Sequence, residues 1–243
     1  MSTLNGRTAL VTGASSGIGA ATASALARAG VHVLAVARRM ERLQELAAGQ
    51  PGIDAFVADL SDPDAAEQVA ARAGAVLGRV DILVNNAGLM LLSPFAVTPM
   101  DDWRRMLEVN LLGMIALTHA VFPGMQARKS GDIINISSVS GRTAGANSAV
   151  YSASKFGMNG FSEGLRREAL KTGVRVTVIE PGAVATELRE HVAHGPTRAM
   201  IVNWAEAMRQ LTDNDVANAV LFAASQPPHV SLNEILMRPT DQD

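Results

Sequence analysis

Thr8-Ala-Leu-Val-Thr-Gly-Ala-Ser-Ser-Gly-Ile-Gly19 is the stretch whose reading decides the fold. Its first four residues are an apolar run of the length of a buried strand. The glycines at 13, 17 and 19 then permit a tight turn and a close backbone approach to a pyrophosphate. An alanine-rich segment over 17–29 follows and stops at Gly30, a suitable helix C-cap. A helix N-terminus offers unpaired N–H groups, so strand, glycine loop and helix in this order make a phosphate cradle. Gly13, Ser15, Ser16, Gly17, Ile18 and Gly19 are its expected cofactor contacts.

Working outward, apolar strand-like runs recur at 31–36, 53–58, 81–84, 132–137, 174–179 and 234–237, with helical patterns between them. The alternation predicts an α/β fold, a Rossmann-type doubly wound parallel sheet of about seven strands flanked by helices. At 243 residues and 48% hydrophobic, with no Pro- or Ser-rich boundary, the chain reads as one domain over 1–243. Its cofactor half runs to about residue 130, and its catalytic and substrate half follows.

A net charge of -2 with scattered basic residues argues against a nucleic-acid surface. The absence of cysteine excludes disulfides and thiolate metal sites. The N-terminal residues lack a secretory pattern, and no run of ~18 consecutive apolar residues marks a membrane span. The expected location is cytoplasmic, without membrane or nucleic-acid partners.

Three groups carry the chemistry. Tyr151 and Lys155 lie four residues apart in a segment that reads as helix, so they share a face, and a cation one turn away is expected to lower the phenol's pKa. Such a pair exchanges protons with an alcohol or carbonyl. Ser138 ends the fifth strand, where its hydroxyl can face the tyrosine across a cleft. After the second strand, where an acid would accept from the adenosine ribose of NAD, the chain has Ala37, Arg38 and Arg39. Loss of the acid and gain of guanidinium groups favour NADP(H), with Arg38 placed before Arg39.

The combination of TGASSGIG, Asn85-Asn86-Ala87-Gly88, Asn110, Ser138, Tyr151, Lys155 and Pro181-Gly182 resembles the short-chain dehydrogenases/reductases over nearly the whole chain. The resemblance implies reversible hydride transfer between NADP(H) and a small carbonyl compound or secondary alcohol. Tyr151 is then the general acid/base, Ser138 the stabiliser of the substrate oxygen, and Lys155 the group that tunes Tyr151 and binds the nicotinamide ribose. Asn110 is implied to hold a water that links Lys155 to solvent, in a long helix bent near 110–113. Asp59 and Leu60 are implied at the adenine, Asn86, Ala87 and Gly88 along the cofactor, and Pro181, Gly182, Val184 and Thr186 at the nicotinamide carboxamide. The segment 187–211 is implied to cover the substrate, and a homo-oligomer, dimer or tetramer, is expected.

The tail from Asn233 resembles a narrower NADP-dependent group that includes clavulanate dehydrogenase and serine 3-dehydrogenase-like enzymes. Their substrates often carry an anion, which leaves Arg142, Arg189, Arg198 and Arg238 as candidate partners. Met90, Leu91 and Leu92 support a different reading, a broad-range carbonyl reductase of apolar ketones, or are ordinary core. A third reading is an NADP-binding regulator without chemistry. His191 and His194 lack a third ligand, so no metal is expected.

Overall fold

A computed structural model describes residues 3–243. β1 (Thr8–Thr12), β2 (His32–Ala37), β3 (Ile53–Val57), β4 (Ile82–Asn85), β5 (Gly131–Ile136), β6 (Val174–Pro181) and β7 (Glu234–Met237) form one sheet. Its order is β3-β2-β1-β4-β5-β6-β7 and every pairing is parallel. A parallel sheet is covered on both faces, which is why its central strands read as continuous apolar runs.

Alternate residues of β1 enter different cores. Ala9 and Val11 pack with Ala23 and Leu26 of α1 (Gly17–Arg28), Leu43 of α2 (Met40–Gly49) and Val216 and Val220 of α8 (Asp213–Ala224). Leu10 faces the other side, with Val69 of α3 (Ala65–Leu77), Leu117 and Val121 of α5 (Gly113–Arg128) and Leu165 of α6 (Ala149–Glu168). A third cluster joins Leu89, Leu92, Met106 of α4 (Met100–Leu107), Tyr151 and Val192. α7 (Gly195–Glu206) lies in the segment that follows β6.

The helical run Met100–Arg128 is long and apolar enough to cross a membrane by length and composition. Here it is a component of the fold, with Met114, Leu117, Thr118, Val121 and Met125 buried.

β1 pairs with β2 on one side and β4 on the other, so sheet growth reverses between β1 and β4 and leaves a crevice beyond their C-terminal ends. Register brings Val11 beside Val84, and therefore the glycine loop beside the Asn-Asn-Ala-Gly turn. Thr12 seals the junction: its hydroxyl donates to the Val84 carbonyl and accepts from the N–H groups of Asn86 and Ala87. A Cβ on Gly13, whose φ is +66°, would sit 2.8 Å from Ala87 Cα. Gly13 is thus required both by conformation and by close approach.

Candidate active site

The crevice is a groove of about 240 Å³ that runs from the glycine loop to Tyr151 and Lys155. Gly13, Ser15, Ser16, Gly17 and Ile18 line one end with Arg38, Arg39, Asp59 and Leu60; Asn86, Ala87 and Gly88 line the middle. Tyr151 and Lys155 line the other end, and Thr186 lines the groove beside Gly17. The expected contacts at these positions therefore share one surface, an extended polar-to-apolar cleft that suits a dinucleotide.

Other expected contacts are placed differently. Gly19 lies in the first turn of α1, where a Cβ would stand 2.3 Å from the Gly13 carbonyl, so its role is helix-to-loop packing. Pro181 ends β6 and the Gly182 N–H donates to the Met237 carbonyl. The space a Gly182 side chain would fill is held by Gln242, whose Oε1 accepts from the Ala183 N–H. Val184 bridges to Leu211. Pro181, Gly182 and Val184 are thus engaged by the last strand, the tail and Leu211; Thr186, against Gly17, is the member of that group that lines the groove.

At the reaction end, α6 presents Tyr151 and Lys155 on one face, both buried. Lys155 Nζ donates to the Ile136 carbonyl at 2.9 Å and lies 5.9 Å from the centre of the Tyr151 ring. The expectation of a lowered Tyr151 pKa is corrected. Burial pushes the phenol up to about 12, against which the Ser138 hydroxyl pulls it down. Burial also pushes Lys155 down to about 8. Desolvation disfavours both charged forms, and the ammonium is aimed at a carbonyl rather than at the phenol oxygen. Ser138 Oγ accepts from the Ser140 N–H, so its own proton remains to be donated toward the Tyr151 oxygen.

Asn110 sits in a π turn, Glu108–Leu112, between α4 and α5, and is fully buried. Its amide donates to the Leu89 carbonyl and Ser154 Oγ, and its oxygen accepts from the Leu89 N–H. The side chain is spent in pinning the segment after Gly88 to α6, so the bend in the long helix is a binding device for that segment. Gly113 permits the turn, because a Cβ there would meet the Leu60 carbonyl at 2.4 Å.

Two of the four arginines proposed for an anion are committed to other side chains or carbonyls. Arg142 is clamped on Glu180, itself fully buried, with Nε donating at 2.8 Å and Nη2 at 2.6 Å, and on Glu234. Asn159 joins the same carboxylate at 2.7 Å and ties it to Ser137 and the Gly141 carbonyl. Arg142 is therefore a structural partner behind α6, because a buried carboxylate requires a charge. Arg189 donates to the Val184 carbonyl and Gln210. Among the described residues Arg238 keeps a buried Nε without a hydrogen-bond partner.

Of the segment 187–211 expected to cover the substrate, Glu187, Leu188 and His191 reach the groove wall, from a single 3-10 turn, Glu187–His191; none of the three was named among the expected cofactor contacts. His194 instead caps α7, its Nδ1 accepting from the Thr197 N–H. Among the described residues no three His, Asp or Glu side chains gather for a metal. Leu91 and Tyr151 border a small hollow with Phe95, Trp103, Met106 and Val150.

The family model for short chain dehydrogenase matches residues 7–196. Glycine betaine reductase of Emericella nidulans is 40% identical over 245 residues, which cover 98% of this chain but 19% of that longer protein. An uncharacterized oxidoreductase of Staphylococcus saprophyticus is 39% identical over 97% of this chain and 98% of its own. The closed form of serine dehydrogenase complexed with NADP+ superposes with a TM-score of 0.91 at 37% identity, covering 97% of this chain and 96% of that one.

Proposed function

The chain belongs to the short chain dehydrogenase family of oxidoreductases, and we propose that it uses NADP(H) to interconvert a small carbonyl compound and its alcohol. The observation that carries this reading is the continuity of one groove from a glycine loop flanked by Arg38 and Arg39 to the buried pair Tyr151 and Lys155. The likeness to an NADP+ complex of serine dehydrogenase supports the cofactor.

The glycine loop and the start of α1 would hold the pyrophosphate, Arg38 and Arg39 the additional phosphate, and Lys155 the ribose hydroxyls. The bound nicotinamide supplies or accepts the hydride. Tyr151, a phenol that burial holds still more firmly in its neutral form, donates its proton to the carbonyl oxygen in the reducing direction. Ser138 donates a hydrogen bond to the same oxygen and stabilises the charge that develops there. Asn110 keeps the Leu89 segment and α6 in register beneath these groups.

A second reading concerns the substrate. The hollow beside Tyr151 has no charged residue in its wall, and Arg142 is held by Glu180. Both observations favour neutral, apolar ketones over carboxylates. Exposed Leu112 and Phe156 suit packing against a second copy in a dimer or tetramer. The test is the initial rate of NADPH oxidation on matched carbonyl compounds with and without a carboxylate. Faster turnover of the neutral members is expected; faster turnover of the anionic ones returns the hydroxy-acid reading. Tight NADPH binding without turnover of any carbonyl compound would mark a regulator.

A further inference from the structure

Each of the two arginines at the nucleotide end faces a carboxylate, and the two carboxylates are anchored differently. Arg38 Nη1 stands 3.7 Å from Asp59, whose Oδ1 is fixed by the Ser61 N–H at 3.0 Å and hydroxyl at 2.8 Å. Arg39 is held at three points. Its Nε donates to Ser15 Oγ at 3.1 Å, Nη2 to Ser16 Oγ at 2.7 Å and Nη1 to Glu187 Oε2 at 2.9 Å. The serines belong to the glycine loop, whereas Glu187 opens the 3-10 turn that carries Leu188 and His191 into the groove wall.

We propose that Glu187 is a built-in competitor for Arg39: a phosphate monoester entering beside this guanidinium displaces the Glu187 carboxylate and with it releases the turn over the groove. Glu187 thereby tunes how strongly the protein distinguishes phosphorylated from unphosphorylated adenine dinucleotides. This deepens the NADP(H) reading and rests on it.

A phosphate dianion takes a guanidinium best through two parallel N–H groups, and all three nitrogens of Arg39 are already engaged. Serine hydroxyls are compatible with the newcomer, because each can turn its proton toward a phosphate oxygen. A carboxylate has no proton to give and repels the dianion. Of the two carboxylates, Asp59 is fixed by both the N–H and the hydroxyl of Ser61, while Glu187 is held by side chains alone, chiefly Arg39 with Ser16 and the charge of Arg42, and sits on a short surface turn. Glu187 is therefore the group that yields. The pair is well exposed, so solvent and salt screen it and the expected effect is several-fold rather than thousand-fold.

The experiment is calorimetric titration of 2′,5′-ADP and 5′-ADP into wild type, Glu187→Gln, Arg39→Gln and the double variant, at low salt and at about 0.5 M. Glu187→Gln is expected to tighten 2′,5′-ADP by about 3–10-fold, leave 5′-ADP unchanged, and lose most of the gain at high salt. In the Arg39→Gln background the gain vanishes. Unchanged or weaker 2′,5′-ADP binding by Glu187→Gln, equal tightening of both ligands, or a gain that survives Arg39→Gln overturns the inference. A wild type that prefers 2′,5′-ADP alongside an unresponsive Glu187→Gln removes this inference alone. A wild type with no preference for 2′,5′-ADP removes the NADP(H) reading as well.

Discussion

At the nucleotide end of the groove the side chains of Arg38, Arg39, Asp59 and Glu187 are 49, 45, 43 and 36% exposed, whereas Tyr151 and Lys155 at the reaction end are 6 and 5% exposed. Both ends use charged and hydroxyl groups, yet their freedom differs. Exposed ion pairs are screened and re-pair at small cost, so the nucleotide end can exchange internal partners for a ligand. Buried polar groups cannot be rearranged without leaving one unsatisfied, so the reaction end is fixed before substrate arrives. Recognition is adjustable here and chemistry is preorganised.

The largest effect that tests this contrast is at Tyr151. Tyr151→Phe keeps the ring in its apolar cluster but removes the proton donor, and is expected to lower kcat by about 10³-fold or more while NADPH affinity stays within about twofold. Retained turnover would leave the buried end without its acid and break the comparison. Because the sequence has a single tyrosine, phenolate absorbance reports this group alone. Titration should show no phenolate in the folded free protein until well above pH 10, given a pKa of about 12.

Next in size is the clamp behind α6. Arg142→Met leaves Glu180 fully buried without its cation, and should destabilise the protein by about 3–5 kcal/mol in denaturant unfolding. Glu180→Gln in the same chain should recover part of the loss. Arg39→Gln, at the exposed end, should cost less than about 1 kcal/mol in the same assay. An Arg142→Met protein of normal stability that discriminates against anionic carbonyl compounds would return Arg142 to the substrate.

What was legible in the sequence was local. The strand, glycine loop and helix at 8–29 are contiguous, and Tyr151 and Lys155 are one helical turn apart, so short-range geometry placed them together. The pairing of Arg142 was not legible because its partners are 38 and 92 residues away, nor that of Glu187 because Arg39 lies 148 residues before it. The sign of the Tyr151 shift depended on burial, which spacing does not supply. Pro181 and Gly182 were assigned by resemblance to the cofactor, but β7 and Gln242 of the tail hold them.

Lys155 gives the most direct reading of burial. An exposed lysine titrates near ~10.4, and Lys155 in the folded protein near about 8. Below that window both states carry the proton, and folding bears a constant penalty for burying the cation. Between about pH 8 and 10 the unfolded chain still holds a proton that the folded chain has released, so stability rises with pH, by at most about 1.4 kcal/mol per unit. Tyr151 acts in the opposite sense and later: its folded pKa near about 12 makes stability fall once the unfolded phenol ionises above ~10. The stability of wild type minus that of Lys155→Met, measured by denaturant unfolding without cofactor, should therefore climb between pH 8 and 10. Arg39→Gln, at the exposed end, is the control and should give a flat difference over the same range. A flat curve for Lys155→Met as well would mean that the ammonium is solvated in the folded protein, and the two ends of the groove would no longer differ in kind.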